Sequence, residues 1–441
     1  MGFTRKFLSA SGLHETVKRC FHRERLQTSA RMTYSWQDCL MSGLAVFGMK
    51  YPSLLQFEKG KSLKATVRRN LRTLYGVKDA PSDTQLRERL DMLSPTQLRR
   101  PFKQIFAHLQ RGKALESFRY LDGYHIISVD GTGQYASHSV HCENCCVKIS
   151  KKTGEITYYH HMLGAALVHP DQKVVIPLAP EPIVKGDGDT KNDCERNASK
   201  RLLSDLRREH PHLKILIVED ALSANYPHLS LLDSLSMAYV IGAKPGDHKY
   251  LFEWIADLKA NEHTVTDENG TIHHFAYYHD VPLNDTHYDY RVNLIEYSET
   301  KPNGKKQKFS WVTRIKITND NVYQLMRAGR ARWKIENETF NTLKNQGYNF
   351  EHNYGHGYQN LCSVMTMLML LAFLIDQTQA LCCKTFQKVR NVLGTWFNLF
   401  LNIRSMMQNF VWDDWEMLYQ QLSWRDGDPP LSKLGKMIYE C

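Results

Sequence analysis

What this 441-residue chain lacks narrows its class. No apolar run reaches the roughly 20 residues that a membrane-spanning helix needs. The longest, Leu361 to Ile375, is uncharged for about 15 residues and is expected to be a buried core helix, so no membrane partner is expected. Met1 to Arg31 is basic and holds no sustained apolar core, so no secretory signal is expected. The ten cysteines are scattered, two pairs being adjacent (Cys145-Cys146 and Cys382-Cys383), and read as reduced thiols in a cytosolic setting. There is no internal repeat and no low-complexity tract. Acid is scarce at one end: residues 1–120 carry 9 Asp/Glu against 23 Lys/Arg, although the whole chain is only +11. A basic quarter beside a slightly acidic remainder suggests a polyanion partner, most simply nucleic acid; a solvated helical face is the alternative.

What is present falls into segments. Residues 1–115 read as helical and basic. Lys64 to Arg72 is one candidate helix, Ser82-Asp83-Thr84 opens another bearing Arg87 and Arg89, and Ser94-Pro95 opens a third with a cap residue before a proline. Short helices with basic connections are compatible with a helix-turn-helix-like DNA reader, the reading taken for residues 1–115; a helical scaffold that touches no DNA is the alternative. From about residue 120 the pattern turns to strands. Tyr124 to Asp130 is expected to end at its acid, with Gly131 and Gly133 in a turn. Ile156 to Val168 and Lys173 to Leu178 follow as strands, then an amphipathic helix from Thr190 to Arg208. Lys214 to Val218 is a continuous apolar run typical of a buried strand, ending at Glu219-Asp220, and Ala238 to Gly242 is a further strand. Residues 245–318 break this rhythm with two hairpin signals, Asn269-Gly270 and Asn303-Gly304, flanked by alternating segments. They read as a small antiparallel β unit inserted ahead of a late helix in 319–378. Residues 380–441 read as helical and rich in aromatics.

Three carboxylates stand where a fold could bring them together: Asp130, Asp220 and Glu336. At about 100° per residue, Trp333, Glu336, Phe340 and Leu343 share one helical stripe, so Glu336 is expected to face the interior and Glu338 the solvent. A buried carboxylate needs a metal, a cation or a hydrogen-bond donor. Glu219 rivals Asp220, but neighbouring strand residues face opposite sides, so only one of them joins a site. Three strands, a helix, a strand, a helix, a strand and a late helix is the order of a ribonuclease-H-like fold. The fold class expected is therefore α/β: a ribonuclease-H-like core of mixed sheet flanked by helices (120–244 and 319–378), with the inserted antiparallel β unit and helical N- and C-terminal regions.

Three motifs carry a more specific likeness: Ser128-Val129-Asp130-Gly131-Thr132, Val218-Glu219-Asp220-Ala221-Leu222, and Arg332-Trp333-Lys334-Ile335-Glu336. With gaps of about 90 and about 115 residues between the acids, the chain over roughly 80–375 resembles the bacterial DDE insertion-sequence transposases, of the group with a β-rich insertion before the glutamate. The resemblance implies metal-dependent cleavage at transposon ends followed by strand transfer into target DNA. It also implies two Mg²⁺ (or Mn²⁺) ions held by Asp130, Asp220 and Glu336, and DNA contacts at Arg332, Trp333 and Lys344. Double-stranded DNA as partner, a homodimer on that DNA and a place in the bacterial cytoplasm at the nucleoid come with it. The group's signature is Tyr-x2-Arg-x3-Glu-x6-Lys. Here Gly329 stands at the tyrosine position, and Leu343 at that of the lysine, with Lys344 one residue later.

Two weaker patterns stand beside these. His138, His141, Cys142, Cys145 and Cys146, with His160 and His161 nearby, contain a Cys-x2-Cys spacing that suits zinc or belongs to a loop with buried thiols. Asp193 and Glu195 read as a favourable acidic first turn, and His352 and His356 as loop residues or DNA contacts.

Overall fold

The alternation that begins at Tyr124 carries one strand past the acid at which it was expected to stop. In the computed structural model, which describes residues 5–23, 33–188 and 191–424, this strand runs to Ser137. Gly131 and Gly133 are not a turn: they stay paired to the neighbouring strand, and the register slips only between Gly133 and Tyr135. The strands are β1 (Arg119–Tyr120), β2 (Tyr124–Ser137), β3 (Cys146–Ile149), β4 (Ile156–Val168), β5 (Ile176–Pro177), β6 (Glu181–Ile183), β7 (Ile215–Glu219) and β8 (Ala238–Gly242). The remaining four are β9 (Asn261–Thr266), β10 (Ile272–Pro282), β11 (Arg291–Thr300) and β12 (Lys306–Thr313).

Together they make one twelve-stranded mixed sheet in the order β3-β4-β2-β7-β8-β12-β11-β10-β9, with β1 on β2, and β5 and β6 on β4. β2 pairs antiparallel with β4 and parallel with β7, which pairs parallel with β8. All five residues of β7 are buried, as a central parallel strand requires. The two Asn-Gly signals make hairpins, with Gly270 and Gly304 at φ of +77° and +79° joining β9 to β10 and β11 to β12. The inserted unit continues the main sheet through two residue pairs, Trp311 with Gly242 and Val312 with Ile241.

The helices in chain order are α1 (Ala10–Arg23), α2 (Trp36–Gly48), α3 (Leu54–Leu63), α4 (Ala65–Tyr75), α5 (Asp83–Asp91), α6 (Arg99–Arg111), α7 (Lys191–Glu209), α8 (Tyr226–Ser234) and α9 (Lys249–Ile255). Then come α10 (Val322–Arg330), a π-helical turn over Ile335–Phe340, α11 (Asn341–Asn345), α12 (Leu361–Cys382), α13 (Lys384–Leu393), α14 (Trp396–Asn409) and α15 (Trp415–Leu422). Ser82 caps α5 by accepting from Gln85 N–H, and Ser94 forms a capping box with Gln97. Among the described residues α12 alone is long and apolar enough to cross a membrane, and 94% of its apolar window is buried by other elements of this chain. Helices from both ends, among them α1, α2, α5, α6 and α13, pack around it. The Asp193 side chain, part of Met1–Arg31 and residues 425–441 lie outside the described residues.

Candidate active site and a second side-chain cluster

Asp130 sits mid-strand in β2, opposite Gly164 of β4. A Cβ at Gly164 would come within 2.9 Å of the Phe340 ring, so glycine there lets the π turn lie close on the sheet. The segment leading into that turn is tied down by Arg327 on Asp171 (2.5 Å) and by Lys334 Nζ on the Gln172 carbonyl (2.6 Å). Ser128 Oγ donates to the Arg332 carbonyl at 2.9 Å. The first and third motifs are thus held together by contacts more than 200 residues apart in sequence.

The Asp130 carboxylate accepts from Gly131 N–H at 2.9 Å and from Arg332 Nη1 at 2.8 Å. Burial pushes its pKa up to about 6 against the pull of Arg332, and the charges of Asp220 and Glu336 push it further in the same direction. Both other acids therefore lie within its electrostatic field. Asp220 follows β7 and accepts from Leu222 N–H at 3.0 Å; it lines one small cleft with Asp130 and Glu195. Glu219 is buried and bonded to His228 Nε2 of α8 at 2.5 Å, so its carboxylate is already engaged.

Glu336 corrects the stripe expected for it. It is exposed, and so is Trp333 at 50%, while Ile335, Thr339, Phe340 and Leu343 face the interior. The reason is the π turn. Its i→i+5 bonding widens the helix, so a phase counted at 100° per residue drifts. Glu338, expected in solvent, is half-buried. The acids are neighbours rather than a closed ligand set, since among the described residues the group with metal-ligand spacing is a different one. The donors are nonetheless hard oxygens, the set that suits Mg²⁺ or Mn²⁺.

Beside Asp220 opens a cavity of about 660 Å³, also lined by Arg332, Trp333, Lys244, Lys308 and Trp311. A Cβ on Gly329 would meet the Trp311 indole at 2.5 Å. The inserted unit therefore supplies an aromatic ring against the position where the resembled signature carries tyrosine. The other basic residues singled out from sequence are engaged locally: Lys344 with Glu351 (2.9 Å) and Arg87 with Asp83 (2.8 Å), while Arg89 is half-buried. Nothing in the sequence pattern singled out Trp311, and His161, noted there beside the Cys-x2-Cys segment, lies instead beside Glu195 (3.5 Å).

The Cys-x2-Cys segment contributes to a second cluster. Cys142, Cys145 and His160 converge and are joined by His356, with all four ligand atoms within 4.8 Å of one another. The other members of the sequence pattern point elsewhere. His138 bonds the Ile156 carbonyl, His141 bonds the Ser139 carbonyl and stacks on Tyr158, and Cys146 donates to the Ile183 carbonyl. His352 is exposed. All nine cysteines among the described residues carry free thiols. No protein-family model and no curated protein matches the chain.

Proposed function

We propose that this chain is a DDE-type transposase on a ribonuclease-H-like core, with Asp130, Asp220 and Glu336 as its acids. The observation that carries the reading is that Asp130 and Asp220 line one cleft while Arg332 of the third motif is bonded to Asp130. The strand order supports it: an antiparallel β4–β2 pair continued by parallel β7 and β8 puts the first acid in β2 beside the end of β7, where the second lies. Asp130, Asp220 and Glu336 would hold two Mg²⁺ or Mn²⁺ ions, which would supply charge neutralisation and activation of a water or a 3′-hydroxyl. Arg332, bonded to Asp130, offers a guanidinium suited to bidentate contact with phosphate. Trp333, exposed beside it, offers a ring for a base or sugar, and Lys244 and Lys308 draw the polyanion into the cavity. Double-stranded DNA is the substrate, two copies of the chain act on two ends, and the bacterial cytoplasm is the setting.

The test is a supercoiled plasmid carrying the chain's own coding segment with its flanking DNA, incubated with Mg²⁺ and either wild type or Asp130→Ala. Wild type is expected to nick at the segment ends and give joined products, and Asp130→Ala to give neither. Equal nicking by both proteins rejects the assignment. Nicking without joined products indicates a nuclease on the same core.

A further inference from the structure

We infer that Cys142, Cys145, His160 and His356 form a structural zinc site that fastens the segment following the Glu336 turn to the sheet. The inference is independent of the transposase reading. Four of the six edges of the cluster lie close to those of a filled tetrahedron, and all six are within 4.8 Å. With Zn–S of about 2.3 Å and Zn–N of about 2.0–2.1 Å, ligand atoms sit about 3.8 Å apart for two sulfurs and about 3.6 Å for sulfur and nitrogen. Cys142 and Cys145 Sγ lie 3.9 Å apart. His160 Nε2 lies 3.3 Å from the first and 3.5 Å from the second, and His356 Nε2 lies 3.3 Å from Cys145 Sγ.

The surroundings are built to hold these atoms there. Cys145, His160 and His356 are buried. His356 Nδ1 is bonded to the Gly357 carbonyl at 3.1 Å, which makes Nδ1 the protonated nitrogen and leaves Nε2 free to ligate. The backbone bends at Gly355 (φ +140°) and Gly357 (φ +68°), turning the imidazole inward. Asp91 grips the next four backbone N–H groups, Tyr358 to Leu361, at 2.8–3.0 Å, and Asn144 Nδ2 reaches the Gln359 carbonyl at 2.8 Å. Two thiolates balance the charge of Zn²⁺. Four protein ligands leave no open position, which marks a structural rather than a catalytic centre. The ligands come from the β2–β3 connection, from β4 and from the loop before α12, so the ion cross-links parts of the chain about 200 residues apart.

The experiment is metal analysis of the full chain purified from zinc-supplemented cells. About one zinc per chain is expected for wild type and for the control His141→Ala, and none for Cys145→Ser or His356→Ala. His356→Cys, which preserves a four-ligand set, is expected to retain it. Cobalt exchanged into wild type should give the thiolate charge-transfer band and intense visible bands of a tetrahedral S2N2 site, and chelation should lower the melting temperature by at least about 5 °C. These wild-type measurements do not depend on any variant folding. A folded wild-type chain that carries no zinc and does not shift its melting temperature when zinc is added overturns the inference. So does a Cys142–Cys145 disulfide in the freshly purified protein.

Discussion

At the scale of the single residue, the carboxyl of Asp130 lies half-buried with two further acids in its field, and its pKa is pushed up to about 6, chiefly by burial. An unfolded aspartate titrates near 3.9. Between those values the folded chain holds the proton more tightly than the unfolded one, so stability falls as pH rises through the window and stays reduced at neutrality. In chelator, Asp130→Asn, a neutral mimic of the protonated acid, is expected to be more stable than wild type at pH 7.5 by about 1–3 kcal/mol. Its advantage should vanish near pH 4. Melting curves across this range check it, and a variant less stable than wild type at pH 7.5 contradicts it. That Asp130, Asp220 and Glu336 are candidates was legible in sequence, because the first two close apolar strand runs and the third lies within an apolar stripe; the fold brings Asp130 and Asp220 to one cleft. The direction of Glu336 was not, since periodicity assumes α-helical spacing and the turn is π-helical. His356 was hidden as a ligand because more than 200 residues separate it from its cysteine partners.

At the scale of the element, α12 begins where Asp91 of α5 receives the N–H groups of Tyr358, Gln359, Asn360 and Leu361. Burial raises the pKa of this carboxyl, but the four backbone donors outweigh it and hold it below the ordinary value. Its contribution is present above the unfolded pKa and is lost as pH falls through the folded one. Asp91→Ala is expected to cost about 1–2 kcal/mol at pH 7, measured by urea unfolding, with a smaller cost in strong acid. A second prediction concerns α10. With the Trp311 indole 2.5 Å from where its Cβ would stand, Gly329→Ala is expected to destabilise by about 1–3 kcal/mol, and pairing it with Trp311→Leu should restore part of that loss. Ile156–Val168 and Ala238–Gly242 were legible to the residue, since their apolar runs are bounded by turn-forming segments. The full length of β2 was not, because its continuation past Asp130 rests on pairing with β4 rather than on its own composition.

At the scale of the whole molecule, helices from both termini close around α12, and the one acid they bury in its middle is Asp376, bonded to Lys50 and to the Tyr348 hydroxyl. Lys50 also lies 4.3 Å from the centre of the Phe400 ring. Removing one partner strands the other charge, so Lys50→Met is expected to cost about 3–5 kcal/mol in urea unfolding, and Lys50→Met with Asp376→Leu considerably less. This union of N- and C-terminal helices was not legible from local patterns, which give helices but not their neighbours. Nor was the joining of the inserted strands to the main sheet, which depends on two long-range pairs at β12 and β8. At that joint a Cβ on Gly242 would stand 3.2 Å from the Ala221 nitrogen and 3.5 Å from the Asp220 carbonyl carbon. The four outer strands thus form a lever whose short arm rests against the second acid. Whatever grips their far end is connected through that joint to the backbone of Asp220.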